Sequence, residues 1–463
     1  MSDLKRVLNL RDIVLMNVVA IVGLRWLLTA AQTGPSATTL WLAALLLFFI
    51  PQALSVIELT TRYPQEGGLY IWTKEAFGPG HGFIAGWCYW VTNIIYFPSL
   101  LIFIASNALF IGGTAWLGLE SNPLYIVVFS LSVLWIILGL NIRGLSLGRW
   151  VQNIGALGTW FPALLLLGAG LYAAVTRGSA TTFTVASLLP TLNTSTLGFW
   201  ATMCFGFAGL ELASVLGDEV QNPRKTIPRG IVIAGVMVAI IYILGTLALQ
   251  VALPLSETSL LSGIPQAISR LFAGDASAVF LGALVALAIT LGGMGGISAW
   301  LGGTARIPYV SGLDNYLPKA LGKVHPKYGT PHVSLIWQGI FSSAFILMSV
   351  IGATVEEAYM VLIDATLVLY FIPYLYMFAA VIKLRNRDGE NAEVIKIPGG
   401  RWGLYLAVGA GLFSTAVSII FSLIPGPEVT SPALFVAKVA GGSAAFVLIG
   451  IALYRFNTRR AGI

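Results

Sequence analysis

The chain of 463 residues is 57% hydrophobic and only 10% charged, with a mean hydropathy of +0.86. A soluble domain carries about a quarter charged residues, so this composition excludes one and indicates an integral membrane protein. The net charge of +7 does not point to nucleic acid as a partner, because the basic residues sit in short loops between apolar stretches and face membrane lipid.

Twelve apolar segments follow one another, near 13–33, 38–59, 82–111, 124–141, 149–175, 196–217, 229–252, 276–304, 333–352, 358–382, 403–424 and 432–454. Each is continuous and about the length a helix needs to cross hydrocarbon, and none alternates as a barrel strand would. The expected fold class is therefore an all-α integral membrane protein with 12 transmembrane helices. Met1 to Asp12 is short and charged, and the apolar run after it is too long for a cleaved signal peptide. Among basic residues outside the spans, only Arg177 and Arg270 fall in the odd-to-even loops. That asymmetry predicts a multi-pass protein of the inner membrane with both termini in the cytoplasm. Cys88 and Cys204 lie within spans and read as free, buried side chains. No spacing suits a metal, a cofactor or a nucleophile–base set, so neither cofactor nor enzymatic activity is expected.

Three spans carry residues that hydrocarbon does not explain. The first contains Ile21-Val22-Gly23-Leu24-Arg25-Trp26, an arginine midway through an apolar helix. In the third, Tyr89, Asn93 and Tyr96 share one helical face with Trp90 beside them. The aromatic residues of that stripe fit packing, whereas Asn93, an amide at membrane depth, is the better candidate for a ligand contact. The sixth reads Met203-Cys204-Phe205-Gly206-Phe207-Ala208-Gly209-Leu210-Glu211. Each glycine costs a helix interior about 1 kcal/mol against alanine, and a lone glutamate at that depth costs several more. Such a segment persists where its loose backbone and its charge are used, as in the discontinuous helices of transporters. The bland alternative is that Gly206 and Gly209 only let helices pack closely.

Gly23-Leu24-Arg25 in the first span matches Gly209-Leu210-Glu211 in the sixth. Five spans separate them, the offset of two five-helix repeats over about 11–175 and 195–382, with helices 11–12 over about 403–455. An odd-numbered repeat inverts in the membrane, so two such breaks would meet near the midplane.

The cytoplasmic junctions carry the longest motifs. They are Glu58 to Trp72 (Glu-Leu-Thr-Thr-Arg-Tyr-Pro-Gln-Glu-Gly-Gly-Leu-Tyr-Ile-Trp), Phe205 to Arg229 ending Gly-Asp-Glu-Val-Gln-Asn-Pro-Arg-Lys-Thr-Ile-Pro-Arg, and Arg306 to Pro331 with Gly-Leu-Asp-Asn-Tyr-Leu-Pro and His-Pro-Lys-Tyr-Gly-Thr-Pro. In these motifs and their order the chain resembles the amino acid–polyamine–organocation (APC) transporter superfamily, over nearly its whole length. The wording of Phe-Phe-Ile-Pro-Gln and Gly-Gly-Leu-Tyr-Ile-Trp is similar to the glutamate/GABA-antiporter-like branch. The resemblance implies a 5+5 inverted repeat of the leucine-transporter type, with broken helices 1 and 6 and two further helices at the end.

It also implies roles for individual residues. The first break, Val22, Gly23, Leu24 and Arg25, would receive a substrate carboxylate, although only the first glycine of the family's glycine-rich pattern is kept. Carbonyls at Phe205, Gly206, Ala208 and Gly209 would receive its ammonium. Asn93 would line the site, with Met294 and Ile297 at a middle gate on the eighth helix. Glu211 stands where arginine/agmatine antiporters carry a gating glutamate, and Trp90 joins it as a gating residue. Thr159 replaces the lysine that many relatives place on the fifth helix, which removes the basis for borrowing that lysine's coupling role.

Arg25 leaves three roles open: a fork for a substrate carboxylate, a partner of Glu211, or an occupant of the carboxylate site that leaves room for amines. A lattice-forming arginine remote from the substrate is the structural alternative. The function expected is secondary active transport or exchange of a small-molecule substrate, an amino acid, by alternating access. The alternatives are a carrier of amines or polyamines and, from another class, a transport-inactive amino-acid receptor.

Overall fold

The amino end is ordered by a reciprocal cap: Asn9 Oδ1 accepts from the Asp12 N–H at 3.2 Å and Asp12 Oδ2 from the Asn9 N–H at 3.0 Å. This fixes where the first helix starts and supplies partners for two of its orphan donors. The computed structural model describes residues 6–120, 122–254, 260–272, 277–313, 316–349, 355–388, 392–425, 429 and 431–461.

Every span expected from the sequence is a helix. The first is divided into α1a (Leu10–Ile21) and α1b (Arg25–Ala31), bent by 45° at the intervening residues. Then come α2 (Gly34–Arg62), α3 (Pro79–Ala108), α4 (Pro123–Ile142) and α5 (Leu145–Thr176). The sixth is again divided, into α6a (Thr194–Phe207) and α6b (Leu212–Val215). It is followed by α7 (Pro223–Ala252), α8 (Ser277–Thr304), α9 (His332–Ser349), α10 (Val355–Asp388), α11 (Gly400–Ser422) and α12 (Pro432–Thr458). Among the described residues nine helices are long and apolar enough to cross a membrane unaided. The two divided helices and the shorter α9 complete the twelve.

Burial orders them around a centre. In its most apolar stretch α3 is 83% buried and α12 only 22%. The third span is thus the axis against which the bundle packs, and the last lies at its periphery. Helices α5 and α8 approach most closely. A methyl group on Gly155 would lie 2.5 Å from the Gly295 Cα, and one on Gly158 would lie 2.5 Å from the Ala288 carbonyl. Backbone-to-backbone contact of this kind needs small residues on both helices.

Contacts also place several chain segments on one face of the bundle. Extended residues Val7 and Leu8 donate their N–H groups to the Glu219 carbonyl at 2.9 and 3.0 Å, and Gln221 N–H returns to Leu8 O at 2.8 Å. At the other end of the chain Asn457 donates to Tyr316 O at 3.0 Å. We call this the terminus face. A clamp on the same face joins α2 to α10. Glu58 accepts from Arg385 Nε at 2.7 Å and from Arg385 Nη2, and its second oxygen takes the Ile397 N–H at 2.9 Å.

Candidate functional site

The two breaks meet in the bundle's interior. Helix α1a ends at Ile21 because Val22 leaves helical geometry (ψ 96°), and α6a ends at Phe207 because Ala208 is extended (ψ 151°). Gly209 follows with φ 127°, and a Cβ there would lie 2.9 Å from the Ile21 side chain and 3.2 Å from Trp300. Both the backbone angle and the crowding require glycine. Gly23 and Gly206 pack against the same indole, that of Trp26.

A cavity of about 20 Å³ lies between the breaks, lined by Ala20, Ile21, Gly206 and Ala208 together with Trp26, Thr92, Asn93, Tyr96, Phe205, Trp300 and Tyr370. Its volume has room for about one water, so the site is contracted. Four rings close on one another around it: Phe205–Tyr370 at 5.4 Å, Tyr370–Trp300 at 6.0 Å, Trp300–Tyr96 at 6.2 Å and Tyr96–Phe205 at 6.2 Å. A second cavity of about 30 Å³ adjoins the first break, where Val22, Gly23, Leu24, Arg25 and Thr159 meet the glycine-rich face of α8.

Side chains from intact helices complete the broken ends. The Trp300 indole donates to Ala20 O at 2.9 Å. Gly209 N–H donates to the Tyr374 hydroxyl at 3.1 Å. Gly23 N–H donates to the Tyr242 hydroxyl at 3.1 Å, and that hydroxyl lies 2.5 Å from Ile21 O and 3.0 Å from Gly206 O.

The two charges do not pair. Glu211 is fully buried and surrounded by donors: Tyr370 and Tyr374 hydroxyls at 2.5 Å, Tyr89 hydroxyl at 2.9 Å and Gln52 Nε2 at 3.3 Å. Four donors use the accepting capacity of a carboxylate. Arg25, also fully buried, makes no ion pair among the described residues. Its Nη1 donates to Ser99 Oγ at 3.2 Å, and its guanidinium carbon stands 4.2 Å from the Trp26 ring and 4.8 Å from Tyr96. Nε and Nη2 meet no acceptor in good hydrogen-bonding geometry, and the Tyr359 hydroxyl is the nearby group that interacts with the guanidinium. A cation at the first residue of α1b also faces the positive end of that half-helix, where an anion is favoured instead.

Other residues expected at the site fall in several places. Asn93, Phe205, Gly206 and Ala208 line the central cavity; Val22, Gly23, Leu24, Arg25 and Thr159 line its neighbour. The Thr159 hydroxyl is turned onto its own helix, donating to Gly155 O at 2.9 Å. Trp90 stands away from both cavities, against Trp87 at 5.6 Å and Phe341 of α9 at 6.4 Å. Ile297 is fully buried, Met294 partly so, and neither lines a cavity; on α8 the wall is Trp300 on one side and Gly292, Gly293 and Gly296 on the other. The cause is helical phase: Trp300 lies three residues beyond Ile297 and, being larger, fills the space. Sequence reading missed Gln52, Tyr242, Trp300, Tyr370 and Tyr374. Tyr370 and Tyr374 at i, i+4, and Gln52 alone in an apolar run, carry the same signal that singles out Asn93.

Toward the terminus face a larger cavity, about 450 Å³, opens between α1a, α5 and α8. Ala299, Gly302 and Gly303 of α8 line it, and Trp300 of the same helix lines the central cavity. Arg306 at its edge pairs with Glu219 at 2.6 Å and reaches Glu66 at 3.7 Å. Arg224, also after α6b, pairs with Glu393. Burial pushes the Glu66 carboxyl up to about 8, against the pull of Arg306 and with the help of Glu219. The folded protein therefore holds this proton more tightly than the unfolded chain, and stability falls as pH climbs from 4.5 to about 8. Melting curves across that window should show a smaller decline for Glu66→Gln than for the native protein; equal slopes would exclude this carboxyl as the cause.

The model of the amino acid permease family matches residues 8–449. The chain is 32% identical over 453 residues to an uncharacterized transporter of Legionella pneumophila, covering 97% of each. It is 28% identical over 422 residues to a probable agmatine/putrescine antiporter of Lactococcus lactis, covering 91% of this chain and 88% of that one. Among solved structures, MhsT in complex with L-phenylalanine superposes with a TM-score of 0.65 over 91% of this chain and 99% of the other, at 11% identity. At that identity the likeness is one of fold, and it bears out the leucine-transporter-like architecture expected from the sequence.

Proposed function

We propose that this chain, which belongs to the amino acid permease family, carries an amino acid across the cytoplasmic membrane by alternating access, with both termini on the cytoplasmic side. As a transporter of amino acids or amines it is not an enzyme. The observation that carries the proposal is the convergence of two helix breaks on one small cavity. An amino acid needs opposite partial charges held close together in a dry site. The ends of broken antiparallel helices supply carbonyls for the ammonium without stranding a full charge in lipid.

In this reading the Ile21 and Gly206 carbonyls receive the ammonium. Arg25, whose Nε and Nη2 meet no acceptor in good geometry, receives the carboxylate that glycine amides take elsewhere in the superfamily. The ring of Phe205, Tyr96, Trp300 and Tyr370 excludes water and parts to admit the side chain. Trp300 gates the vestibule, and Glu211 with its three tyrosines ties α6b to α3 and α10.

A second reading has one observation of its own. Four aromatic faces around a cavity suit an amine through cation–π contact, and a relative named for agmatine and putrescine aligns over most of the chain. Arg25 would then fill the carboxylate place itself. Thermal-shift screening of the purified protein against the protein amino acids, agmatine and putrescine separates the two. A true substrate at a hundredfold excess over Kd stabilises by about 2.7 kcal/mol. Shifts from the amines alone would replace the amino-acid reading, and binding without accumulation in proteoliposomes would indicate a receptor.

A further inference from the structure

Tyr242 is the feature that the transport reading does not use. Its side chain is fully buried on α7, stacked on Trp41 at 4.7 Å and flanked by Phe207 at 5.4 Å. Trp41 is fixed in turn, its indole donating to Thr246 Oγ1 at 2.9 Å. The phenol thus has one position available, and in it the hydroxyl reaches both breaks. It accepts from Gly23 N–H at 3.1 Å and lies 2.5 Å from Ile21 O and 3.0 Å from Gly206 O.

A hydroxyl has one proton and two lone pairs. It accepts from Gly23 and donates mainly to the nearer Ile21 carbonyl, leaving Gly206 O the under-supplied partner. Residues Ile21 and Gly206 also line the contracted cavity. Broken helix ends buried without partners are costly. Here Gly23 N–H and Ile21 O, and Gly206 O in part, are provided for by a side chain of the protein itself.

We infer that the Tyr242 hydroxyl is a built-in stand-in for cargo, allowing the empty carrier to close and return. The inference rests on the breaks being the substrate site. A carrier whose empty breaks are unsatisfied stays open until loaded and is confined to exchange. One whose breaks are satisfied internally completes its cycle unloaded and carries out net transport. An arriving ammonium brings three N–H donors, enough for both carbonyls; Ile21 O has two lone pairs and accepts from the ammonium and the hydroxyl together, while the hydroxyl still accepts from Gly23.

Tyr242→Phe keeps the ring and its stacking and removes only the hydroxyl. Hydrogen–deuterium exchange on the ligand-free protein should then rise about ten- to a hundredfold in segment 21–25, where Gly23 N–H loses its acceptor, the ratio implied by leaving a buried backbone group unpaired. Exchange in α11 and α12 should stay unchanged. In proteoliposomes, with a uniformly 14C-labelled mixture of the protein amino acids as probe, net uptake into empty vesicles should fall about tenfold. Uptake into vesicles preloaded with the unlabelled mixture should fall less than about threefold, because loaded breaks satisfy the same groups. Thr415→Val on α11 removes a buried hydroxyl that bonds its own helix, donating to Gly411 O at 2.7 Å, and should alter neither exchange at the breaks nor the flux ratio. Unchanged exchange in segment 21–25, or equal loss of the two fluxes, would overturn the inference. No uptake by the native protein from this mixture counts against the amino-acid reading only, and the exchange experiment then decides the role of Tyr242.

Discussion

Arg25→Met is expected to separate ligand binding from folding, lowering the first and sparing the second. The native guanidinium is buried without a carboxylate, and two of its nitrogens, Nε and Nη2, meet no acceptor in good geometry. Exchanging a buried charged group for a packed apolar one is often neutral or stabilising by about 1–4 kcal/mol. The ligand-free variant should therefore melt no lower than the native protein. A substrate carboxylate, by contrast, loses charge-assisted hydrogen bonds worth about 3 kcal/mol, on the order of a hundredfold in Kd. The sign of the change also tells the substrates apart. If the cargo is an amine, removing a cation beside it raises affinity instead. Isothermal titration with the compound that gave the largest thermal shift would measure it, and an unchanged Kd would remove Arg25 from recognition altogether.

The largest loss of stability is expected at Glu58. Its carboxylate takes two donors from Arg385 and one from Ile397 N–H, and lies 3.5 Å from Arg62. The Arg62 and Arg385 side chains are only 4% and 13% exposed. Glu58→Ala would leave both cations facing each other with water nearly excluded. Removing one member of a buried ionic group costs about 3–5 kcal/mol, chiefly through the charge left behind. Asp388, 3.6 Å from Arg62, offers that arginine partial relief and leaves Arg385 as the main casualty. The double variant Glu58→Ala, Arg385→Met should recover much of the loss in thermal melting. A single variant as stable as the native protein would show that α2 and α10 are held together by packing alone.

The positions of the spans and of both breaks were legible in the sequence, because hydrocarbon thickness and glycine's helical penalty act on consecutive residues. The partners of the breaks were not, since Tyr242, Trp300 and Tyr374 come from three helices far away in the chain. The pairing of Arg25 with Glu211 had a specific flaw. Matching Gly-Leu-Arg to Gly-Leu-Glu puts each charge just after its break, but α1 and α6 run in opposite directions. Arg25 opens the half-helix leading away from the terminus face, and Glu211 precedes the one leading toward it. The inversion that brings the breaks together carries their charges to opposite sides. Trp300 was passed over for Ile297 because alignment by motif fixes a helix's ends better than its rotation.

The short extended segment at Val7 and Leu8 has a consequence of its own. It is bound to Glu219 and Gln221, runs directly into α1a, and grips the chain just beyond α6b. The halves of both divided helices nearest the terminus face therefore hang from one handle at the amino end. Bulk or tension applied there is delivered to both halves at once. An affinity tag or fusion partner at the amino terminus loads the half-helices that move in the proposed alternating-access cycle, whereas one at the carboxyl terminus, beyond the peripheral α12, does not.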